Sequence, residues 1–392
     1  MTPLLTRLIG RLPIGWLQLM HNRTRLIAAI GGVTFANVLI FMQLGFMNAL
    51  FETSVFTHRS MQADIVLVSS DFQSLREANP LPRSRMYQAL SHPEVRDATP
   101  VYIGTSMWTD TASGDTTNFR VMGFDPDQTI FTDPELNKSL RLLKEADSAI
   151  VDGRTRDFRK SIGTQINEVG RYSIEMANRT IALVGTFSQG ASFDVDGSLI
   201  VSDQTFMRLF PQSNSGAPTL VLVTLNNPAQ AESVAVELNR LFPEADTRAF
   251  TKNQWVQAEQ SYQSRQTPIG FVFGFGVIIG MVVGLVIVYQ VLSTDVQDHM
   301  AEYATFKAIG YPPKFFMGIV FEESISLATL GFLPGMCISL VLYQLASSET
   351  GLPISMPLGR LLFVFVLTSV MCILSGAIAT KRLNSADPAE LF

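Results

Sequence analysis

A chain of 392 residues that is 47% hydrophobic and only 16% charged carries too little charge to cover a soluble protein of that size, where about 25% is usual. Its formal net charge of −5 excludes the basic footprint of a nucleic-acid binder. The two cysteines, Cys337 and Cys372, both sit in apolar runs, which excludes a disulfide framework and reads as packing.

The first 25 residues place Leu4, Leu5, Leu8, Leu12, Trp16 and Leu19 at roughly helical spacing, with Arg7 and Arg11 between them. The pattern predicts an amphipathic helix on the cytoplasmic leaflet, or two short pieces given Pro13 and Gly15. Four later segments reach the length and polarity of a membrane span, at 26–50, 269–292, 315–346 and 358–380. The first lacks a small-residue cleavage site and carries Gln43 and Asn48 near its far end, so it reads as a permanent span rather than a signal peptide. Asn37, Gln43 and Asn48 read as hydrogen-bonding glue between spans.

Arg7, Arg11, Arg23 and Arg25 precede span one, Lys381 and Arg382 follow span four, and the 347–357 link has neither Lys nor Arg. The positive-inside rule then puts both termini in the cytoplasm, with 51–266 and the short 347–357 loop outside and 293–314 inside. The expected class is therefore an α-helical membrane protein with four transmembrane helices and a large extracytoplasmic α+β domain.

Within 51–266, strands are predicted over 63–68, 98–108 and 119–124, with a helix at 82–90. A matching set, strand 219–224, helix 228–241 and strand 246–250, closes the region. The two strand–helix–strand halves, 51–147 and 211–250, flank a β-rich insertion at 148–210. Residues 251–266 read as a polar stalk helix running into span two. No H-E-x-x-H or G-x-S-x-G pattern occurs among these residues. Asp194 and Asp196 lack the other positions of a calcium loop and read as a solvated turn.

Intramembrane features are few. Gly276, Gly280 and Gly284 recur four apart, a stripe that admits a close helix. It serves a homodimer seam or a tight contact with span one of either subunit, or else ordinary packing within the chain. Glu322 and Glu323 lie early in span three, where an intramembrane charge is a functional candidate but a nearby helix N-terminus offers a simpler account.

No Gly-Lys dipeptide occurs, so the chain has no P-loop and no nucleotide site of that kind. The 293–314 link is more informative. Val296, Met300, Tyr303, Phe306 and Ile309 share one helical side, and Gly310 with Pro312 and Pro313 stops the helix. A cytoplasmic helix exposing Tyr303, Phe306 and Ile309 beside Glu302 and Lys307 suits docking to a protein; a short return helix is the plain alternative.

The run Glu302-Tyr-Ala-Thr-Phe-Lys-Ala-Ile-Gly310 resembles the E-x-x-x-[LF]-K-A-[LI]-G signature of FtsX-like and MacB-like ABC transporter permeases. The tail Arg382-Leu-Asn-Ser-Ala-Asp-Pro-Ala-Glu-Leu391 is similar to that family's closing pattern, and Glu322-Glu323 falls where relatives carry an acidic residue. Trp16-Leu-Gln-Leu19, Arg23-Thr-Arg25 and Phe41-Met-Gln-Leu-Gly-Phe46 look most like the DevC branch of separate permease subunits.

The resemblance implies porter-like βαβ halves in the outer domain and a coupling helix at Glu302, Tyr303, Thr305, Phe306, Lys307, Ile309 and Gly310. It also implies a homodimer in the bacterial inner membrane, working with a cytoplasmic ABC ATPase that uses the ATP and magnesium. A periplasmic adaptor and a TolC-like outer-membrane channel would complete an exporter that acts by mechanotransmission on a lipid, glycolipid or other hydrophobic cargo. Lipoprotein extraction or regulation of cell-wall hydrolases on the same scaffold is the main alternative, and a membrane-anchored sensor or enzyme without an ATPase is another. No catalytic, cofactor-binding or metal-binding residue is expected in this chain.

Overall fold

A computed structural model describes residues 14–110, 114–156, 160–242, 246–265 and 267–385. The amphipathic segment up to Pro13 and the closing pattern beyond Ser385 therefore lie outside the described residues.

The chain opens with α1 (Ile14–His21) and the long α2 (Arg23–Ser54), then α3 (Phe56–Ser60) and β1 (Ile65–Ser69). Helix α4 (Ser84–Leu90) leads to the 15-residue strand β2 (Val95–Thr109) and to β3 (Thr116–Phe124). Next come α5 (Pro134–Ser139), β4 (Ser148–Asp152), α6 (Lys160–Val169), β5 (Tyr172–Met176), β6 (Arg179–Phe187), β7 (Gly197–Ser202) and α7 (Asp203–Leu209). Strand β8 (Leu220–Leu225), α8 (Ala231–Leu241), β9 (Thr247–Thr251) and α9 (Lys252–Arg265) return toward α10 (Pro268–Asp298). The chain continues with α11 (Met300–Ala308), α12 (Pro313–Thr350) and α13 (Leu358–Ser385).

The chain divides into two units, a helical one (1–48, 271–345 and 354–392) and a sheet one (49–270 with 346–353). Four helices are long and apolar enough to cross a membrane: α2, α10, α12 from Lys314 and α13 to Thr380. Helices suit that setting because each satisfies its own backbone hydrogen bonds.

Helix α2 is the centre of the helical unit. Its residues Ala36, Ile40 and Gln43 lie against Gly284, Gly280 and Gly276 of α10, with Ala36 Cβ 2.8 Å from where a Gly284 Cβ would stand. On another side Thr34 donates to the Gly331 carbonyl of α12 at 3.2 Å, and Asn37 accepts from Thr368 of α13 at 2.5 Å. The glycine stripe thus lies against span one of the same chain. Seven large side chains from Phe271 to Val286 on α10 remain exposed. Of the two cysteines, Cys372 is buried as packing predicts, whereas Cys337 is exposed.

The sheet unit is built on β2, which is long enough to serve two layers. Over Val95–Val101 it pairs with β8, and over Tyr102–Thr109 with β3. The first layer runs β2-β8-β1-β9 with every neighbour antiparallel. Helix α4 crosses from β1 to β2 and α8 from β8 to β9, so two strand–helix–strand units interleave. The second layer runs β3-β7-β4-β6-β5, and one pair, Trp108 with Met176, joins β5 back to β2. The β-rich layer is therefore wider than 148–210: β3 and the far half of β2 belong to it, and helices α6 and α7 cover it.

Alternation explains the packing. In β1, Ile65 and Leu67 face the cluster under α4 and α8, while Val66 and Val68 face the cluster between the layers. In β3, β4 and β7, Val121, Val151 and Val201 face a third cluster, and Met122, Ile150 and Ile200 the middle one. Both faces of these four strands are thus dry, and Trp255 of α9 is buried in the middle cluster.

Replacing Gly284 by Leu should cost about 1–3 kcal/mol through overpacking, and Gly274→Leu, which meets open space, should change little. Thermal unfolding of the solubilised monomer checks this. A Gly284→Leu variant that melts with the wild type would remove the close contact with α2.

Candidate functional site

The first candidate lies in the helical unit, where α10 ends and α11 begins. The backbone barely leaves the helical path there: His299 N–H donates to the Asp295 carbonyl, and Tyr303 N–H to that of His299. The helix stops at Gly310, whose φ of +103° suits glycine alone. Tyr311 N–H closes the end on the Phe306 carbonyl.

One side of α11 is sewn into the unit. Tyr303 is buried against Phe316, and its hydroxyl donates to Gln18 of α1 at 3.2 Å. Burial, then the nearby carboxylates Glu323 and Asp295, pushes this phenol well above its ordinary value. Tyr303 therefore stays a hydrogen-bond donor. Phe306 is half-buried against Tyr311 and Phe315. The other side is open: Glu302, Thr305, Lys307 and Ile309 are exposed, Ile309 to 70%. The structure thus corrects the expected surface by taking Tyr303 out of it and leaving Glu302, Thr305 and Ile309 on one helical face.

The acidic pair is also placed differently. Glu322 and Glu323 are buried and sit well past the first turn of α12, which starts at Pro313, so the dipole of their own helix does not explain them. Glu322 accepts instead from the Trp16 N–H, in the first turn of α1, at 3.3 Å. It caps the start of another helix. Glu323 lies beside Asp295 of α10, and Asp295 in turn is 3.6 Å from both Arg25 and His299. Arg25 also donates to Asp298 at 2.6 Å. Charged side chains thus join α2, α10 and α12 next to the root of α11. Among the described residues no group of His, Cys, Asp and Glu is arranged to hold a metal ion.

A second cluster sits in the sheet unit, on α3. Thr57 and His58 are both fully buried. The Thr57 hydroxyl accepts from Gln189 Nε2 at 2.9 Å and from Arg120 Nη1 at 3.3 Å. Gln189 is held by Asp152, whose carboxylate accepts the backbone N–H groups of Arg154, Gln189 and Gly190. Arg120 pairs with Asp194, which also accepts from Ser192. On the other side of α3, the His58 ring packs 4.0 Å from Trp255 and lies 3.3 Å from Glu259, both on α9. Glu259 accepts the Leu75 N–H at 2.8 Å. Lys252 donates to the Met61 carbonyl at 2.6 Å, and its burial lowers its pKa.

Sequence reading missed this cluster. His58 stood alone in the sequence, with no partner at a motif spacing, and its neighbours are some 200 residues away. Asp194 and Asp196 are not a solvated turn: Asp196 pairs with Arg156 at 2.9 Å and accepts the Asn118 N–H.

Four helices able to cross a membrane, with a large β-rich domain between the first and second, define a multi-pass membrane protein. Residues 26–241, more than half of the chain, match the family described as MacB-like periplasmic core domain, and 274–388 match that described as FtsX-like permease C-terminal. The chain belongs to this MacB-like, FtsX-like permease family. The family points to an ABC-type transporter permease of the inner membrane rather than an enzyme, and its members generally work with an ABC ATPase. Among curated proteins no match is found. Among solved structures, the periplasmic region of MacB from Actinobacillus actinomycetemcomitans is 13% identical, with 49% of this chain and 90% of that one covered and a TM-score of 0.32. The extracellular domain of the noncanonic ABC-type transporter YknZ from Gram-positive bacteria is 11% identical, with 44% and 90% covered and a TM-score of 0.30.

The Asp194 carboxyl gives a test of the second cluster. Burial works to raise its pKa, but the Arg120 charge and the Ser192 hydroxyl outweigh that and hold it below its ordinary value. Its contribution is then present above about pH 4 and lost as pH falls through the lowered value. Asp194→Ala leaves Arg120 buried without its carboxylate and should cost about 3 kcal/mol near neutrality. The difference between variant and wild type should begin to narrow below about pH 4 and close only below the lowered pKa, as read by denaturant unfolding across pH. Equal stability at pH 7 would remove the ion pair from the account.

Proposed function

We propose that the chain is the permease subunit of an ATP-driven exporter that works by transmitting movement rather than by conducting cargo between its spans. In this reading the sheet unit lies outside the membrane, with its interleaved strand–helix–strand layer as the porter-like part, and both termini lie in the cytoplasm. A separate ATPase subunit seats on α11, and two copies of the chain form the working unit. A periplasmic adaptor and an outer-membrane channel receive a lipid, glycolipid or other hydrophobic cargo.

The observation that carries the reading is the two-sidedness of α11. Its exposed face, Glu302, Thr305 and Ile309, is free to meet a partner, while Tyr303 and Phe306 tie it to α1 and α12. A push on such a helix is passed on rather than absorbed, because close-packed side chains resist compression. The charged contacts of Arg25 with Asp295 and Asp298 extend that connection to α2 and α10. The α3 cluster supports the other end of the reading. There the start of the sheet unit is held by buried polar contacts to the β-rich layer and to α9.

The combined change Lys307→Glu and Ile309→Asp alters only exposed side chains, so stability should stay within about 0.5 kcal/mol. Co-purification of a nucleotide-hydrolysing subunit should fall at least about tenfold, the equivalent of 1.4 kcal/mol. Retention of that subunit at the wild-type level, with the fold intact, would sink the docking assignment.

A further inference from the structure

Among the described residues, β9 is the one strand of nine with a single neighbour. Strands β2, β3, β7, β4, β6 and β5 close on one another, β8 and β1 each lie between two others, and β9 pairs with β1 alone. A strand with a free side presents backbone groups that another chain can pair with. The β1–β9 pairing is antiparallel, and just beyond its ends Ser70 N–H donates to the Asp246 carbonyl and Lys252 N–H to that of Asp64. By alternation Arg248 and Phe250 turn their backbone groups to β1, and Thr247, Ala249 and Thr251 turn theirs outward.

Side chains meet these outward groups in place of a strand. Asn239 of α8 accepts the Ala249 N–H on Oδ1 and donates from Nδ2 to the Ala249 carbonyl, both at 2.8 Å. That is the donor and acceptor pair that a strand residue exchanges with the one opposite it. Gln254 accepts the Thr251 N–H at 3.0 Å. Asn239 and Gln254, with Thr247, Arg248, Ala249 and Phe250, line an open cleft of about 730 Å³ beside the strand. Arg248 is the one charged residue in that lining. Its guanidinium lies 5.7 Å from the Phe250 ring and has neither a hydrogen bond nor an ion pair among the described residues.

The edge is complementary to itself. Set antiparallel against a second β9 with Ala249 opposite Ala249, it places Arg248 opposite Phe250 and Thr247 opposite Thr251. Thr–Thr and cation–aromatic pairs across strands are favourable, and no like charges meet. The bonds at the centre of such a pairing are the two that Asn239 makes.

We propose that the β9 edge is a docking surface for β9 of a second copy of this chain, and that Asn239 is the cap that holds it closed. This rests on the two-copy part of the exporter reading for its partner, but its test needs neither nucleotide nor ATPase.

The test uses the full chain in detergent, with Ala249→Cys as reporter and Cys337→Ser to remove the exposed thiol. In a hydrogen-bonded antiparallel pair the two Cα atoms lie about 5.5 Å apart, within the roughly 4.4–6.8 Å that a disulfide spans. Under mild oxidation Asn239→Ala should cross-link at least about tenfold faster than the chain that keeps Asn239, the worth of two lost cap bonds. Asn239→Asp keeps the acceptor for the Ala249 N–H and loses the donor, so it should fall between them. Adding Thr251→Pro to Asn239→Ala should return cross-linking to the starting level, because proline removes an outward N–H and blocks an edge. Without the cysteine, hydrogen exchange at 247–251 should quicken in Asn239→Ala at low protein concentration and slow again as concentration rises.

Equal cross-linking with and without Asn239 would overturn the proposal, as would cross-linking that survives Thr251→Pro. Unchanged exchange in Asn239→Ala would mean that another group caps the edge, and protection independent of concentration would mean a different occupant; either overturns it. Failure on any of these counts leaves ATPase association through α11 untouched, so the two readings fail separately.

Discussion

The sheet unit depends on a five-residue helix with two fully buried polar side chains. Thr57 and His58 are neighbours on α3, yet they serve opposite directions, Thr57 toward Arg120 and Gln189 and His58 toward Trp255 and Glu259. A buried polar group that loses its partner costs about 1–3 kcal/mol, more if charged. The β-rich layer is therefore held by hydrogen bonds to the point where the chain enters this unit, and α9 is held there by the packing of the His58 ring on Trp255 and by the Lys252 bond to the Met61 carbonyl. Asp152 and Asp194 act one step out, fixing the loop that carries Gln189 and the guanidinium of Arg120.

The helical unit solves a different problem. Lipid gives no hydrophobic drive to bring helices together, so close approach and interhelical hydrogen bonds must do it. Helix α2 receives glycines from two neighbours, Gly276, Gly280 and Gly284 of α10 and Gly331 and Gly335 of α12. Asn37 adds a hydrogen bond to α13 through Thr368. The outcome is one helix in contact with three others, with the α11 root attached through Arg25.

Much of this was legible in the sequence where the signal is local. Four apolar runs showed the candidate spans, and Gly310 with Pro312 showed where α11 stops. Alternating strands such as 63–68 and 219–224 lay within a residue or two of β1 and β8. The local signal failed where an answer depended on a distant partner. Tyr303 lies on the same apolar side as Phe306 and Ile309 in the sequence pattern, but Phe316 and Gln18 bury it while Ile309 stays open. Asp194 looked like a turn residue because its partner Arg120 lies far off in the chain. Strand β2 was legible as a strand but not as a member of two layers, since pairing is a property of the neighbours.

The sequence by itself determined that the chain has four membrane-compatible helices around one large α+β region, and that it has no P-loop of its own. Composition and hydrophobic run length suffice for that, because the cost of leaving backbone or charge in lipid is paid residue by residue. Only the tertiary structure decided which face of α11 is free, whether the Gly276–Gly284 stripe is filled, and which polar groups on α3 are buried. Each of these is set by contacts between segments that are remote in the chain, and such contacts leave no periodic trace in either partner alone.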